Sequence, residues 1–169
     1  GIRYAADNGA HVINLSLGGG FNSSIKSAVE HAWELGSLVI MASGNEGASQ
    51  PSYPAQYAVD TGVAVGAIDI NNNVAGFSND AGETVMDYVV APGVNVLSTV
   101  PGGGFARFNG TSMATPHVAG VAALLRGAVS EMAVATHESF IVQTANPNFI
   151  DGIAGTSGNL ETEISGLAY

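Results

Sequence analysis

Ser112 is the residue whose position best suits nucleophilic chemistry. It follows an irregular segment and lies near the start of a helix predicted over residues 111–127. The predicted apolar face of that helix consists of Val118, Val121, Ala122 and Leu125. A serine at a helix N-terminus lies at the positive end of the helix dipole, where developing negative charge is stabilised. The same position suits a serine that only caps the helix, and a short Gly-x-Ser-x-Ala pattern alone favours capping.

The residues around Ser112 form a long and specific motif. Residues 109–120 read Asn-Gly-Thr-Ser-Met-Ala-Thr-Pro-His-Val-Ala-Gly. This stretch resembles the nucleophile segment of the subtilisin-like serine proteases, the subtilases, and the resemblance implies that Ser112 attacks the peptide carbonyl. His117 does not inherit the role of general base, because the family keeps its catalytic histidine far upstream; we expect His117 to pack or to hydrogen-bond. Pro116 is expected in the first helical turn, where a missing N–H costs nothing.

Other stretches extend the resemblance in family order. Residues 12–19 resemble the subtilase strand whose edge binds substrate, and residues 42–47 resemble the oxyanion segment. Phe77-Ser78 and Ala91-Pro92-Gly93 also recur. The resemblance implies that the side chain of Asn45 donates a hydrogen bond to the oxyanion of the tetrahedral intermediate. Within the family, the blend of motifs is most similar to the proteinase K-like branch.

The resemblance also implies a substrate site. Ser16, Leu17 and Gly18 would pair with an extended peptide as an added strand. A pocket for the side chain before the scissile bond would be lined by Met41, Ala42, Ser43 and Gly44. Because these residues are small or apolar, an apolar preference with broad tolerance is expected. Tyr53-Pro54 matches a family turn that contains a cis-proline.

The catalytic aspartate and histidine are not found in this chain. In the family they precede the serine, on segments that come before the region matched here, so we expect them upstream of Gly1. The chain, residues 1–169, is then the C-terminal portion of a single catalytic domain, and is expected to be inactive alone. Asp60-Thr61-Gly62 mimics the aspartate motif, but it follows the oxyanion segment and is interpreted as a coincidence. The remaining histidines, expected at the surface or at helix edges, are His11, His31 and His137.

Composition excludes several classes of partner. The net charge of −10 disfavours nucleic acids and anionic membranes, and no apolar run is long enough to span a membrane. The absence of cysteine excludes disulfides and cysteine-bound zinc. The expected partners are polypeptide substrates, and the protein is expected to be an extracellular monomer, the location being implied only by the resemblance. No cofactor is expected; a weak calcium site around Asp60 and Asp87 is conceivable but is not assigned.

The predicted fold is α/β, with a mainly parallel sheet and helices on both faces. Strands are predicted over residues 11–17 and 37–43, on either side of a helix over residues 22–36 that Ser23 or Ser24 could cap. Such a strand–helix–strand unit favours parallel pairing. Later strands are predicted over residues 62–68, 85–90, 94–100 and 105–108, and a last helix over residues 130–144. The tail from Asn146 is predicted to be loop-like, with a short strand at its end.

Other classes of protein explain the sequence less well. An α/β-hydrolase needs an acid and then a histidine after its serine, but no histidine follows Asp151. A dinucleotide-binding module could use Leu17-Gly-Gly-Gly20, but the second strand ends in Ala42-Ser43 with no acidic residue for the ribose. The alternative that stays open is a non-catalytic subtilase relic that acts at most as a peptide-binding module.

Overall fold

The structure, a computed structural model, describes residues 1–146. Its helices are α1 (Ile2–Asp7), α2 (Ser23–Glu34), α3 (Thr111–Ala128) and α4 (Val134–Thr144), with a short 3-10 helix at Ala55–Val59. Its strands are β1 (Val12–Leu15), β2 (Leu38–Ala42), β3 (Val63–Ile68), β4 (Tyr88–Pro92), β5 (Val96–Val100) and β6 (Gly104–Phe108). The predicted tail beyond Asn146 lies outside the described residues.

A four-stranded parallel sheet in the order β1-β2-β3-β4 organises the described chain. Strands β5 and β6 form a separate antiparallel pair, so the sheet structure is mainly parallel, as predicted. All five residues of β2 and all six of β3 are buried. Unbroken apolar strands of this kind are typical of parallel sheets that are covered on both faces.

Helices cover both faces of this sheet. Val39 and Met41 of β2 pack in one core with residues of α1 and α2, including Val29 and Ala32. The alternate β2 residues, Leu38 and Ile40, pack in a second core with α3 and α4. Ala114, Val118 and Ala122 of α3 belong to this second core. Because successive side chains of a strand point to opposite faces, one short strand contributes to both cores. The predicted fold class is therefore confirmed.

Several predicted boundaries were wrong by a few residues. Strand β4 begins at Tyr88 rather than at residue 85, and α4 begins at Val134 rather than at residue 130. The cap of α2 is Asn22, not Ser23 or Ser24, because its Oδ1 accepts the backbone N–H of Ser24 (2.9 Å) and of Ile25 (3.1 Å). Asn and Ser are similarly good caps, so the sequence alone could not separate them.

The predicted apolar face of α3 is only partly buried. Val118 and Ala122 are buried, but Val121 is 51% exposed and Leu124 is 76% exposed. These two residues lie on a flank of α3 that no element of residues 1–146 covers. The prediction for Val121 was therefore wrong for the described structure, because helical spacing shows which residues share a side but not how wide the covering layer is.

The prediction that His137 lies at the surface or a helix edge was wrong. Its side chain is 2% exposed, and its Nε2 donates to the carbonyl of Ala122 at 2.8 Å. The carbonyl can only accept, so the proton lies on Nε2. Burial lowers the pKa of His137. The ring thus joins α4 to α3 in its neutral form.

Glu138, the next residue, is a buried carboxyl group with an unusual environment. Its side chain is 8% exposed, and its Oε1 has no hydrogen-bond partner among the described residues. Burial, and secondarily the negative charge of Asp87, raise the pKa of Glu138 to about 8, although a hydrogen bond from the backbone of Gly62 opposes the shift. Burial also raises the pKa of Asp87. The fold therefore favours the protonated form of Glu138.

This carboxyl group makes stability depend on pH. A raised folded-state pKa contributes stability that is complete below the unfolded value near 4.5 and is lost as the pH rises towards about 8. We expect Glu138→Gln in the complete protein to raise Tm at pH 9 by about 2–6 °C, because burial, and secondarily the charge of Asp87, penalise the ionised form of Glu138 by ~1–2 kcal/mol after a discount for solvent screening. At pH 4 the variant and the parent should unfold within about 1 °C of each other. Differential scanning calorimetry at both pH values checks this, and an equal Tm change at both would contradict it.

Candidate active site

Ser112 is the second residue of α3, which begins at Thr111 directly after Gly110. Pro116 is the sixth residue of this helix, not part of its first turn as the sequence suggested. Since proline has no N–H, the carbonyl of Ser112, four residues earlier, has no helical donor. The hydroxyl of Ser16 supplies one, and donates to the Ser112 carbonyl at 2.8 Å. The hydrogen bond that the proline removes from the helix is thus replaced by one from Ser16, the residue that follows β1, to the proposed nucleophile.

The contact between these serines is reciprocal. The hydroxyl of Ser112 donates to the carbonyl of Ser16 at 3.3 Å. Among residues 1–146, no histidine hydrogen-bonds to Ser112: His31 pairs with Asp7, His117 with the Met113 carbonyl and His137 with Ala122. The contact of His117 is within its own helix, at 2.9 Å, which agrees with the expectation that it packs or hydrogen-bonds. The described residues therefore hold Ser112 in place but provide no base for its proton.

Asn45 contacts the residue that precedes Ser112. Its Oδ1 accepts the backbone N–H of Thr111 at 2.8 Å and the Thr111 hydroxyl at 3.1 Å. A backbone N–H can only donate, so the atom that faces it must be the oxygen of the amide, and this fixes the orientation of the side chain. Within the described part of the chain, the amide nitrogen of Asn45 has no acceptor, so it can donate to another group. The side chain of Asn45 is exposed, so an incoming carbonyl oxygen can be that acceptor.

An open cleft borders the segment that contains Asn45. It has a volume of about 400 Å³ and is lined by Gly18, Gly19, Glu46, Ala48, Gln50, Pro51, Ser52 and Asn79. The side chains of Met41, Ala42 and Ser43 are at most 2% exposed, and Gly44 is also buried. Met41 and Ala42 end β2, and Ser43 and Gly44 follow it; none of the four is among the residues named in the cleft lining. The pocket predicted at residues 41–44, with its apolar preference and broad tolerance, stays a prediction.

A smaller cavity also borders Gly18. Its volume is about 60 Å³, and its lining includes Leu17, which is half exposed, together with Ile25, Tyr53 and Tyr57. The ring of Phe21 lies edge-on to Tyr53, with centroids 5.3 Å apart. The Tyr53-Pro54 peptide bond is cis, as the resemblance implied. The predicted peptide-pairing residues Ser16, Leu17 and Gly18 thus run from Ser112 to the space between the two cavities.

The remaining predicted features lie away from Ser112. Asp60 forms an ion pair with Lys26, with Nζ and Oδ2 3.7 Å apart. No three His, Asp or Glu side chains within the described part of the chain converge as metal ligands. The calcium site considered around Asp60 and Asp87 remains unassigned. In residues 1–146 no helix is both long enough and apolar enough to cross a membrane.

Sequence reasoning missed two residues of this site. Thr111 orients Asn45, and Asn79 hydrogen-bonds to the segment on either side of Asn45. Thr111 stands inside the recognised motif, so its position next to Ser112 was available as a signal. Asn79 directly follows Phe77-Ser78, but its partners are 31 to 36 residues away in sequence, and no local pattern predicts such contacts.

Comparison with known proteins finds relatives of this chain in one family. The sequence profile of the subtilase family matches residues 1–162. Alkaline elastase YaB from Bacillus sp. (strain YaB) is 56% identical over 128 residues, which cover 75% of this chain and 32% of that protein. Thermitase from Thermoactinomyces vulgaris is 46% identical over 157 residues, which cover 92% of this chain and 52% of thermitase.

A solved structure shares the fold. The crystal structure of a cold-adapted subtilisin-like serine proteinase superposes with a TM-score of 0.83 at 33% sequence identity, covering 92% of this chain and 56% of that one. The chain spans about a third to a half of the length of the curated relatives it matches. The profile covers nearly all 169 residues, and its motifs meet in one place around Ser112, so this chain belongs to the subtilase family.

Proposed function

We propose that the protein containing this chain is a serine endopeptidase that hydrolyses peptide bonds through an acyl-enzyme on Ser112. The single observation that carries the proposal is the position of Asn45. Its carbonyl oxygen is held by Thr111, the neighbour of Ser112, and its amide nitrogen has no acceptor within residues 1–146. A donor held in advance beside a nucleophile at a helix N-terminus is the arrangement that stabilises a tetrahedral oxyanion.

In this mechanism, the Oγ of Ser112 attacks the scissile carbonyl and loses its proton to a histidine. The carbonyl oxygen becomes negatively charged and accepts a hydrogen bond from Nδ2 of Asn45. The intermediate collapses, the histidine protonates the leaving amine, and water then hydrolyses the ester on Ser112. We place this histidine and its aspartate upstream of Gly1, and residues 1–169 are then the C-terminal portion of one catalytic domain.

The proposed substrate is an extended polypeptide. Ser16, Leu17 and Gly18 would pair with it as an added strand, and the cleft that borders Gly18 would take the side chain before the scissile bond. Because Glu46 and Gln50 line the cleft, we propose that it also accepts polar side chains, within the broad tolerance expected from the sequence. A monomeric, extracellular protein without a cofactor, from the proteinase K-like branch, remains our prediction.

A peptide-binding relic is the second candidate. The comparisons do not favour it, and the contact of the Ser112 hydroxyl with the Ser16 carbonyl fits both candidates. A relic would keep the strand-pairing residues 16–18 and the cleft but would not activate Ser112. The candidates therefore differ in the reactivity of one hydroxyl group.

Covalent labelling of Ser112 separates the two candidates. A fluorophosphonate reacts rapidly only with a serine whose proton is removed by a base, so the complete protein should be labelled within minutes and peptide mass mapping should place the adduct on Ser112. Residues 1–169 expressed alone should be labelled far more slowly, since they lack the base. Prior heat denaturation of the complete protein serves as the control. A complete, folded protein that is not labelled on Ser112 would favour the relic.

A further inference from the structure

Asn79 is the most completely hydrogen-bonded buried amide near the candidate site. Its side chain is 1% exposed. Its Oδ1 accepts the backbone N–H groups of Glu46 and Ala48, each at 3.0 Å. Its Nδ2 donates to the carbonyl of Ser43 at 3.1 Å and to Oε2 of Glu46 at 2.8 Å. Both lone pairs and both N–H bonds are thus used, and every partner belongs to residues 43–48, the segment that includes Asn45.

The backbone of Asn79 holds the same segment. Its N–H donates to the carbonyl of Gly44 at 3.2 Å, and its carbonyl accepts the hydroxyl of Ser43 at 3.1 Å. That carbonyl also accepts the hydroxyl of Tyr88 at 2.6 Å, which ties it to β4. Burial raises the pKa of Tyr88, so its hydroxyl remains a donor at neutral pH. Residues 43–48 are therefore fastened to the sheet through Asn79.

Gly44 shows how closely Asn79 approaches this segment. The backbone of Gly44 has φ of +113°, and a Cβ atom there would lie 2.3 Å from Nδ2 of Asn79. Both observations disfavour other residues at position 44. Such a φ favours glycine, and 2.3 Å is too short for non-bonded carbon and nitrogen atoms. The absence of a side chain at position 44 makes room for the amide of Asn79.

Glu46 connects Asn79 to Asn45 directly. Its Oε2 accepts the backbone N–H of Asn45 at 3.0 Å as well as Nδ2 of Asn79. Asn45 is consequently fixed at two points: Glu46 holds its backbone, and Thr111 holds the oxygen of its side chain. The first of these points depends on Asn79, which orients the carboxylate of Glu46 and the backbone on both sides of it.

We infer that Asn79 is a positioning residue of the oxyanion hole: it fixes residues 43–48 so that the amide nitrogen of Asn45 is in place before the tetrahedral intermediate forms. Asn79 itself does not touch the oxyanion. The inference rests on the proposed function, because it requires that Asn45 be the oxyanion donor. Displacing a reacting or stabilising group by about 1 Å can cost about 10²-fold in rate, so a loosened segment should be visible in kcat.

A double-mutant cycle in the complete protein tests this inference. Asn79→Ala should lower kcat about 10- to 100-fold with KM changed less than about fivefold, since Asn45 acts mainly in the transition state. In the Asn45→Ala background the same substitution should lower kcat less than about threefold, because its effect is transmitted through Asn45. Rates are divided by the number of active sites, counted by stoichiometric labelling of Ser112, so misfolded molecules do not contribute.

A second variant tests the same role even where Asn79→Ala fails to fold. Asn79→Asp keeps the volume and the accepting Oδ1 but replaces the donor to Glu46 with a second carboxylate oxygen. Asn79→Asp should lower kcat. Adding Glu46→Gln should raise the kcat of that variant at least about fivefold, since the amide of the new glutamine can donate to the carboxylate at position 79 and still accept the backbone N–H of Asn45. Ser37→Ala is the matched control: it removes a buried hydrogen bond to the Ala10 carbonyl at the other end of β2 and should leave kcat unchanged.

The outcomes separate the inference from the function it rests on. If Asn79→Ala lowers kcat equally with and without the side chain of Asn45, or if kcat does not change, the positioning role is overturned. If Glu46→Gln gives no recovery in the Asn79→Asp protein, the role of the carboxylate contact is overturned. If Asn45→Ala alone has no effect on kcat, the failure lies in the proposed oxyanion donor.

Discussion

Replacing Ser112 by alanine in the complete protein is expected to lower kcat by about 10⁶-fold while the fold and peptide binding persist. The magnitude is the one found for subtilisin, a member of this family, and is not calculated from the present geometry. Its physical origin is that the covalent intermediate can no longer form, and only the oxyanion donor and the bound geometry remain. The Oγ of Ser112 donates to the Ser16 carbonyl at 3.3 Å, a contact at the edge of hydrogen-bonding distance. Its loss should therefore change stability little.

Hydrolysis of a chromogenic peptide measures this loss, and circular dichroism shows that the variant is folded. Ser98→Ala, which makes the same chemical change at an exposed position of β5, is the matched control and should retain full activity. Turnover in Ser112→Ala above about 1% of the parent rate would contradict the proposed nucleophile. The search for another nucleophile would then begin with Ser16, the only side chain that hydrogen-bonds to the backbone of Ser112 among the described residues.

Replacing Asn45 by alanine should lower kcat by about 10²- to 10³-fold and leave KM within a few fold. This range also comes from the equivalent loss in subtilisin. KM is spared because the hydrogen bond to the carbonyl oxygen becomes strong only when that oxygen is negatively charged. The measurement is the full dependence of rate on peptide concentration, which separates kcat from KM.

Asn45→Asp separates the loss of the donor from the loss of the local structure. A carboxylate can still accept the N–H and the hydroxyl of Thr111, so the local structure should persist, but it cannot donate to an oxyanion. We expect a loss at least as large as that of the alanine variant, since a negative charge would face the developing oxyanion. Asn71→Ala, in an exposed turn, is the control. Unchanged kcat in either Asn45 variant would show that another group stabilises the oxyanion.

The sequence was sufficient for those features that depend on local patterns. The unbroken apolarity of β2 predicted a strand buried on both faces, and the spacing within α2 predicted its buried side. The resemblance placed Asn45 beside Ser112, and the structure brings Asn45 into contact with Thr111. The functional roles of both residues stay predictions. What succeeded was either periodic in the chain or contained in one long motif.

The features that the sequence did not predict depend on tertiary contacts. The cleft is lined by the later residues 46, 48 and 50–52, which no local pattern indicated, and the pocket predicted at residues 41–44 stays a prediction. His137 is buried because α4 packs against α3, and local polarity gave no sign of this. Asn79 was overlooked because a single asparagine after Phe77-Ser78 resembles an ordinary loop residue until its partners are brought near.

The proline in α3 has a consequence for the order in which the molecule is assembled. An ordinary helix acquires its hydrogen bonds from neighbours a few residues away, on timescales far shorter than that of chain collapse. Here the carbonyl of Ser112 accepts its hydrogen bond from a hydroxyl 96 residues earlier in the chain, and this bond can form only once β1 lies against α3. Contacts over such separations form late, after the loop entropy has been overcome. We therefore expect the surroundings of Ser112 to form late in folding, so that a partly folded chain would lack the proposed proteolytic centre while its own backbone is still exposed.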